Sequence, residues 1–158
     1  MREILFRGKS KHDGKWVYGD LVRNTHDGAE LIIIELDVEN NRCRFVQVEP
    51  ESVGEFTGLT DEDGNYIFEG DIVEYTRTHM YCPTASFHNQ DLVSRHQIYH
   101  DEEYHQFRDK HYSMEPDGTW KCIGSGSIGF NDERADENIC FVIGNIYDNP
   151  ELLKGGAK

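Results

Sequence analysis

The chain has 158 residues, a formal net charge of −14 and a hydrophobic fraction of 37%, which suits one folded domain with a polar surface and a real core. Such a field repels phosphate backbones, so direct binding of duplex DNA is not expected. The longest apolar runs, residues 31–34 and 139–143, fall far short of the roughly 20 residues that a membrane-spanning helix requires.

The opening MREILFRGKS is charged at once and lacks the apolar stretch of a secretory signal. Within it, Ile4 and Phe6 alternate as in a strand. Asp13-Gly14 then gives a two-residue hairpin signal before a strand through Trp16, Tyr18 and Val22. ELIIIELDV and CRFVQV are β-branched arms around Glu39-Asn40-Asn41, a second hairpin. VGEFTGL reads as a short strand.

Residues 77–118 change character, gathering six of the chain's eight histidines among acids, Tyr and Gln. DLVSRHQIYHDEEYHQFRDKHY, residues 91–112, has neither Gly nor Pro and many good helix formers, which predicts a helical insert. After Asp117-Gly118, TWKCIGSGSIGF reads as a glycine-interrupted strand and ENICFVIGNIYDN as a buried one. Asn149-Pro150-Glu151 is a helix start, an N-cap followed by Pro, so a short C-terminal helix is expected over PELLK. The predicted fold is mainly β, barrel-like or in two small lobes, with minor helix in the central insert and at the C-terminus.

Four patterns invite a chemical reading. Asp61, Asp63 and Asn65 begin like a calcium loop, but Gly64 stands at loop position 4 and Ile72 at position 12, where the motif needs a glutamate. Asp63-Gly64 is instead a hairpin turn between FTGL and YIF, with Asp61 and Glu62 in solvent. Glu69 and Asp71 flank Gly70, which makes a tight corner more naturally than an acid–base pair. His79-x2-Cys82 and His96-x3-His100 have the pair spacing of a zinc site. However, Pro83 follows the first pair, and histidines of a solvated insert usually bind nothing. GSGSIG, residues 124–129, sits in a β segment and not before a helix, so a bulged or close-packed strand outweighs a phosphate loop. GxxxxGK[ST], HExxH and GxSxG are absent. No catalytic, cofactor-binding or metal-binding residue is assigned on these patterns, and no cofactor is expected.

Three blocks in order carry a family resemblance: MREILFRGK with GKWVYGDL, VEPESVGEFTGLTDEDGNYIFEGDIV, and FVIGNIYDNPELL. They resemble the YopX family of phage and prophage proteins. Arg2, Phe6, Arg7, Tyr18, Gly19, Val53, Gly54, Phe56, Thr57, Gly58, Gly70, Asp71, Gly144, Asn145 and Ile146 fit its pattern. The resemblance implies one mainly β domain over residues 1–158, a phage or prophage origin, and no particular activity. Residues 77–118 do not carry it and read as a variable insert, so their histidines inherit no role.

The function expected from these readings is that of a non-enzymatic accessory module that binds another macromolecule, an unassigned protein partner, through its variable insert. Cys43, Cys82, Cys122 and Cys140, far apart and without CxxC, fit reduced thiols in the bacterial cytoplasm. The alternatives are a metal-dependent enzyme using the His-rich insert and an acidic nucleic-acid mimic. A homo-oligomer is compatible with every reading.

Overall fold

The computed structural model describes residues 3–24, 30–37, 42–78, 92–128 and 137–154. Among the described residues, eleven strands build two antiparallel sheets: β1 (Phe6–Lys9), β2 (Trp16–Asn24), β3 (Glu30–Asp37), β4 (Arg42–Gln47), β5 (Gly54–Thr60), β6 (Tyr66–Phe68), β7 (Asp71–Thr78), β8 (Leu92–Asp101), β9 (Gln106–Met114), β10 (Trp120–Ser127) and β11 (Glu137–Asn145). The first sheet runs β4-β3-β2-β1-β5-β6 and the second β10-β9-β8-β7-β11. They belong to two compact units. One holds the residues up to Leu59 with Tyr66–Glu69; the other holds Thr60–Asn65 and the residues from Gly70 onward. The mainly β expectation is met.

In the first unit, alternation along β2 and β3 sends Val17 and Ile33 inward, where they meet Val48 and are flanked by Phe6, Leu21, Leu31, Val46 and Val53. Burying each such aliphatic side chain stabilises by about 1.5–3 kcal/mol before entropic costs. Beside this core, Phe56 stacks on Tyr66 at 4.4 Å between ring centroids, and Phe68 lies 5.6 Å from Tyr18. Arg7 is buried, donates to the Glu69 carbonyl at 3.1 Å, and lies over the Trp16 and Phe68 rings at 4.7 and 5.0 Å. Thr57 Oγ1 donates to the Ile67 carbonyl at 2.8 Å and braces β5 against β6. Several residues of the family pattern therefore hold this fold together. The Asp13-Gly14 turn is wider than two residues, because Ser10 N donates to the Lys15 carbonyl and Gly14 N to the Ser10 carbonyl.

In the second unit, Ile72, Val73, Ile98 and Cys140 are buried. Gly70 opens the unit at φ +85, and its N–H donates to the Ile98 carbonyl while its carbonyl accepts from Ile146 N. A Cβ there would lie 2.9 Å from Tyr147 Cε2, so both the backbone and the space call for glycine.

Two sequence readings are corrected. The helix expected over residues 91–112 is absent: β8 and β9 pair along their lengths, from Ser94↔Ser113 to Asp101↔Gln106. The turn between them needs neither Gly nor Pro. Asp101 Oδ1 accepts from Glu103 N and Tyr104 N at 3.0 and 3.2 Å, and His105 takes φ +50. Tertiary pairing has overridden local helix propensity. The C-terminal helix is a 3₁₀ turn, Pro150–Leu153, and Asn149 does not cap it with its side chain. Its Oδ1 turns back to accept from Asn145 N at 3.4 Å. The Glu39-Asn40-Asn41 turn lies outside the described residues, but the strands on either side pair up to Asp37↔Arg42.

Candidate functional site

One face of the second sheet is unusually polar. In the β8–β9 hairpin, Ser94 stands opposite Ser113, His96 opposite His111 and Ile98 opposite Asp109. Because side chains alternate along each strand, all six point to the same face. Tyr75 of β7, opposite Ser94, joins them. The two imidazoles stack with centroids 4.4 Å apart, and Tyr75 meets His96 edge-on at 5.7 Å.

Within this group runs a directed chain of hydrogen bonds. The Ser94 hydroxyl lies 2.8 Å from His96 Nε2, and His96 Nδ1 bonds Asp109 Oδ2. A carboxylate can only accept, so Asp109 places the imidazole proton on Nδ1 and leaves Nε2 to accept from Ser94. The His96 and Asp109 side chains are only 13% and 11% exposed, which fixes the ring in that orientation.

Next to the hairpin, β10 supplies a floor without side chains. Gly124 pairs with His111 and Gly126 with Asp109, after a bulge between Cys122 and Gly124. The cleft above them has a volume of about 300 Å³, between Tyr75, His96, Asp109 and His111 on one side and residues 123–128 on the other. A second recess of about 240 Å³ reaches Ser94, Ser113, Val93 and Ile123. Neither glycine has a positive φ. A Cβ at Gly124 would meet nothing within 4 Å, and at Gly126 only Asp109 Oδ1, at 3.5 Å. Neither the backbone nor the packing therefore requires glycine at these positions.

The first unit has a larger open groove, about 830 Å³, edged by Lys11, Lys15, Trp16, Arg44 and Phe45. Lys15 is paired with Asp13 and Arg44 with Glu35.

The residues singled out in the sequence are distributed differently. His79 and Cys82 lie outside the described residues. His96 and His100 share a strand face, but four residues along a strand span about 13 Å, too far for one ion, and His100 packs on Phe107 at 5.5 Å. Among the described residues no group of three or more His, Cys, Asp and Glu converges as a metal cage. Asp71 is buried at the start of β7, whereas Glu69 belongs to the first unit. The expectation that Asp61 stands in solvent is overturned. It is buried, and its carboxylate accepts from Asp63 N, Asn65 N, Asn65 Nδ2 and Val142 N at 2.8–3.1 Å. GSGSIG is, as expected, a bulged strand as far as it is described.

Ser94, Asp109, His111 and Tyr75 were not foreseen. A signal did exist: Ser-x-His at residues 94–96 and His-x-Ser at 111–113 mirror each other about Glu103–Tyr104, as paired arms of a hairpin would.

The family model described as YopX protein matches residues 5–154. The chain belongs to the YopX family. No curated protein matches it. A crystal structure titled protein EF1440 from Enterococcus faecalis is similar at 18% identity and a TM-score of 0.45, covering 98% of this chain and 100% of that one. In this YopX-family chain the cleft is built by β8 and β9, which lie in the stretch between the resembling blocks, together with β10.

Cys140, opposite Tyr75 on β11, offers a check on how dry this face is. Burial, with the nearby charges of Asp61 and Glu62, pushes its thiol up to about 12. At pH 8 only about one in 10⁴ such thiols is ionised. A thiol reagent on the native protein should therefore label the exposed Cys43 and Cys122 and spare Cys140 until denaturant is added, as read by peptide mass mapping. Native labelling of Cys140 at the rate of Cys122 would contradict this packing.

Proposed function

We propose that this YopX-family chain is a phage- or prophage-derived accessory protein that works in the bacterial cytoplasm by binding a partner protein at the β9–β10 cleft. The observation that carries the reading is the pair of glycines, 124 and 126, left open beneath a wall of hydrogen-bonding side chains where neither backbone nor packing requires them. A space of about 300 Å³ accepts one or two side chains of a partner loop. Affinity then comes from the surrounding surface and selectivity from the cleft.

Affinity capture from the bacterial host, with quantitative mass spectrometry, tests this with three baits: wild type, Gly124→Val, and Phe45→Ser on the first unit. Valine suits a strand and its Cβ at position 124 would meet nothing within 4 Å, so its melting temperature should stay within about 2 °C of wild type. The expected result is a partner retained by wild type and Phe45→Ser and lost by Gly124→Val. A partner held equally by all three, or none captured above background, would overturn the reading.

A further inference from the structure

We infer that Ser94 is a nucleophile for acyl transfer, with His96 as its general base and Asp109 as the positioning residue behind it. This goes beyond the binding reading and stands without it, because it rests on the recess at Ser94 and not on the glycine floor. Three observations converge. The hydroxyl lies 2.8 Å from Nε2, within the reach needed for proton transfer. Nδ1 of the same ring is held by a buried carboxylate, which sets the tautomer in which Nε2 can take a proton and stabilises the imidazolium that results. The ring cannot swing away, because Tyr75 abuts one side and His111 is stacked against it.

A purely structural Ser–His–Asp chain would be closed over. This one opens on a recess of about 240 Å³ whose lining includes the apolar Ile123. Ile123 is itself 57% exposed. That size and lining fit a small, uncharged carboxylic ester. Ser113, directly across the ladder from Ser94, brings a hydroxyl group to the same recess, the kind of donor that stabilises a developing oxyanion. No GxSxG motif accompanies this serine, since it lies on a flat strand and not at a strand-to-helix elbow.

The step balances with the ester and water alone. Ser94 Oγ attacks the carbonyl carbon as its proton passes to His96 Nε2. The bond to the alkoxide breaks, and the alkoxide takes that proton and leaves as an alcohol. Water, deprotonated by the same nitrogen, then attacks the acyl-serine. Its proton returns to Ser94 as the carboxylic acid departs.

A fluorophosphonate probe tests the nucleophile on the full chain, because its phosphorus bonds to an activated serine as fluoride leaves. The expected result is a single adduct mapped to Ser94, absent in Ser94→Ala. His96→Gln should slow its formation at least about 10²-fold, and Asp109→Asn should also slow it substantially. In the wild type, the labelling rate should rise with pH along one ionisation, which a merely structural serine would not show. This readout holds even where a variant fails to fold. The proposal is overturned by no adduct after hours at millimolar probe, by an adduct on another residue only, by a flat wild-type pH profile, or by equal labelling of folded His96→Gln. None of these results bears on partner capture at Gly124, so the two readings fail separately.

Discussion

Gly19→Ala should destabilise the first unit by at least about 3 kcal/mol, in the range kept for steric faults in packed structure. Gly19 sits in β2, paired with Phe6 of β1, at the point where the strand passes from β1 to β3. A methyl group there would lie 1.9 Å from the Ile34 carbonyl oxygen, 2.7 Å from its carbon and 3.2 Å from Glu35 N. All three are backbone atoms, so no rotamer change relieves the overlap. Either β3 moves away, breaking the ladder that begins at Asp20↔Ile34, or β2 twists and takes Val17 out of the core. Hydrogen exchange in the β2 and β3 amides should quicken by about two orders of magnitude or more, matching a loss of about 3 kcal/mol. Gly14→Ala is a useful comparison: its φ is +69 but nothing lies within 4 Å, so its cost should stay near about 1 kcal/mol. Unchanged exchange in Gly19→Ala would mean that β2 and β3 do not approach so closely.

Position 19 also shows which parts of this fold were legible in the sequence. The strand of Val17 was readable from its apolar alternation, and that of Ile33 from its run of β-branched residues. So were the turns marked by Asp-Gly. The β8–β9 hairpin was not. Its inward face carries Ser94, His96, Asp109 and His111 where a strand would ordinarily place aliphatic residues, so the period of two is hidden. Its turn is made by Asp101 and by His105 at positive φ, with no glycine to announce it. The same residues that make the candidate site thus erased the sequence signal for the strands that carry it. Local rules commonly break where a site is built. The reading of Asp61 as exposed failed for a related reason: spacing along the chain does not say which distant backbone group a side chain will meet.

Asp61→Ala should destabilise the second unit by about 2–4 kcal/mol, since a carboxylate that accepts from several donors is worth more than a neutral acceptor. Its Oδ1 gathers the N–H groups of Asp63 and Asn65, and its Oδ2 takes Asn65 Nδ2 and, from 81 residues away, Val142 N. The turn is thereby tied to β11, and Glu62 N adds a bond to the Cys140 carbonyl at 3.1 Å. Alanine leaves Val142 N without this acceptor at the bulge between Val142 and Gly144. Burial pushes the Asp61 carboxyl up, but the bonds from Asn65, Val142 and Asp63 together outweigh it and hold the group below its ordinary value. The folded chain then binds this proton less readily than the unfolded chain. The contribution is complete above the unfolded value of about 3.9 and is lost as the pH falls through the lower folded value. Urea melts from pH 7 down to pH 2 should show wild type and Asp61→Ala far apart at neutral pH and converging in acid. Millimolar calcium should leave both curves in place, because the ligand oxygens are already occupied by N–H donors. If the alanine variant matches wild type at pH 7, or if calcium raises the wild-type midpoint and the variant loses that gain, then Asp61 is not the brace of this turn.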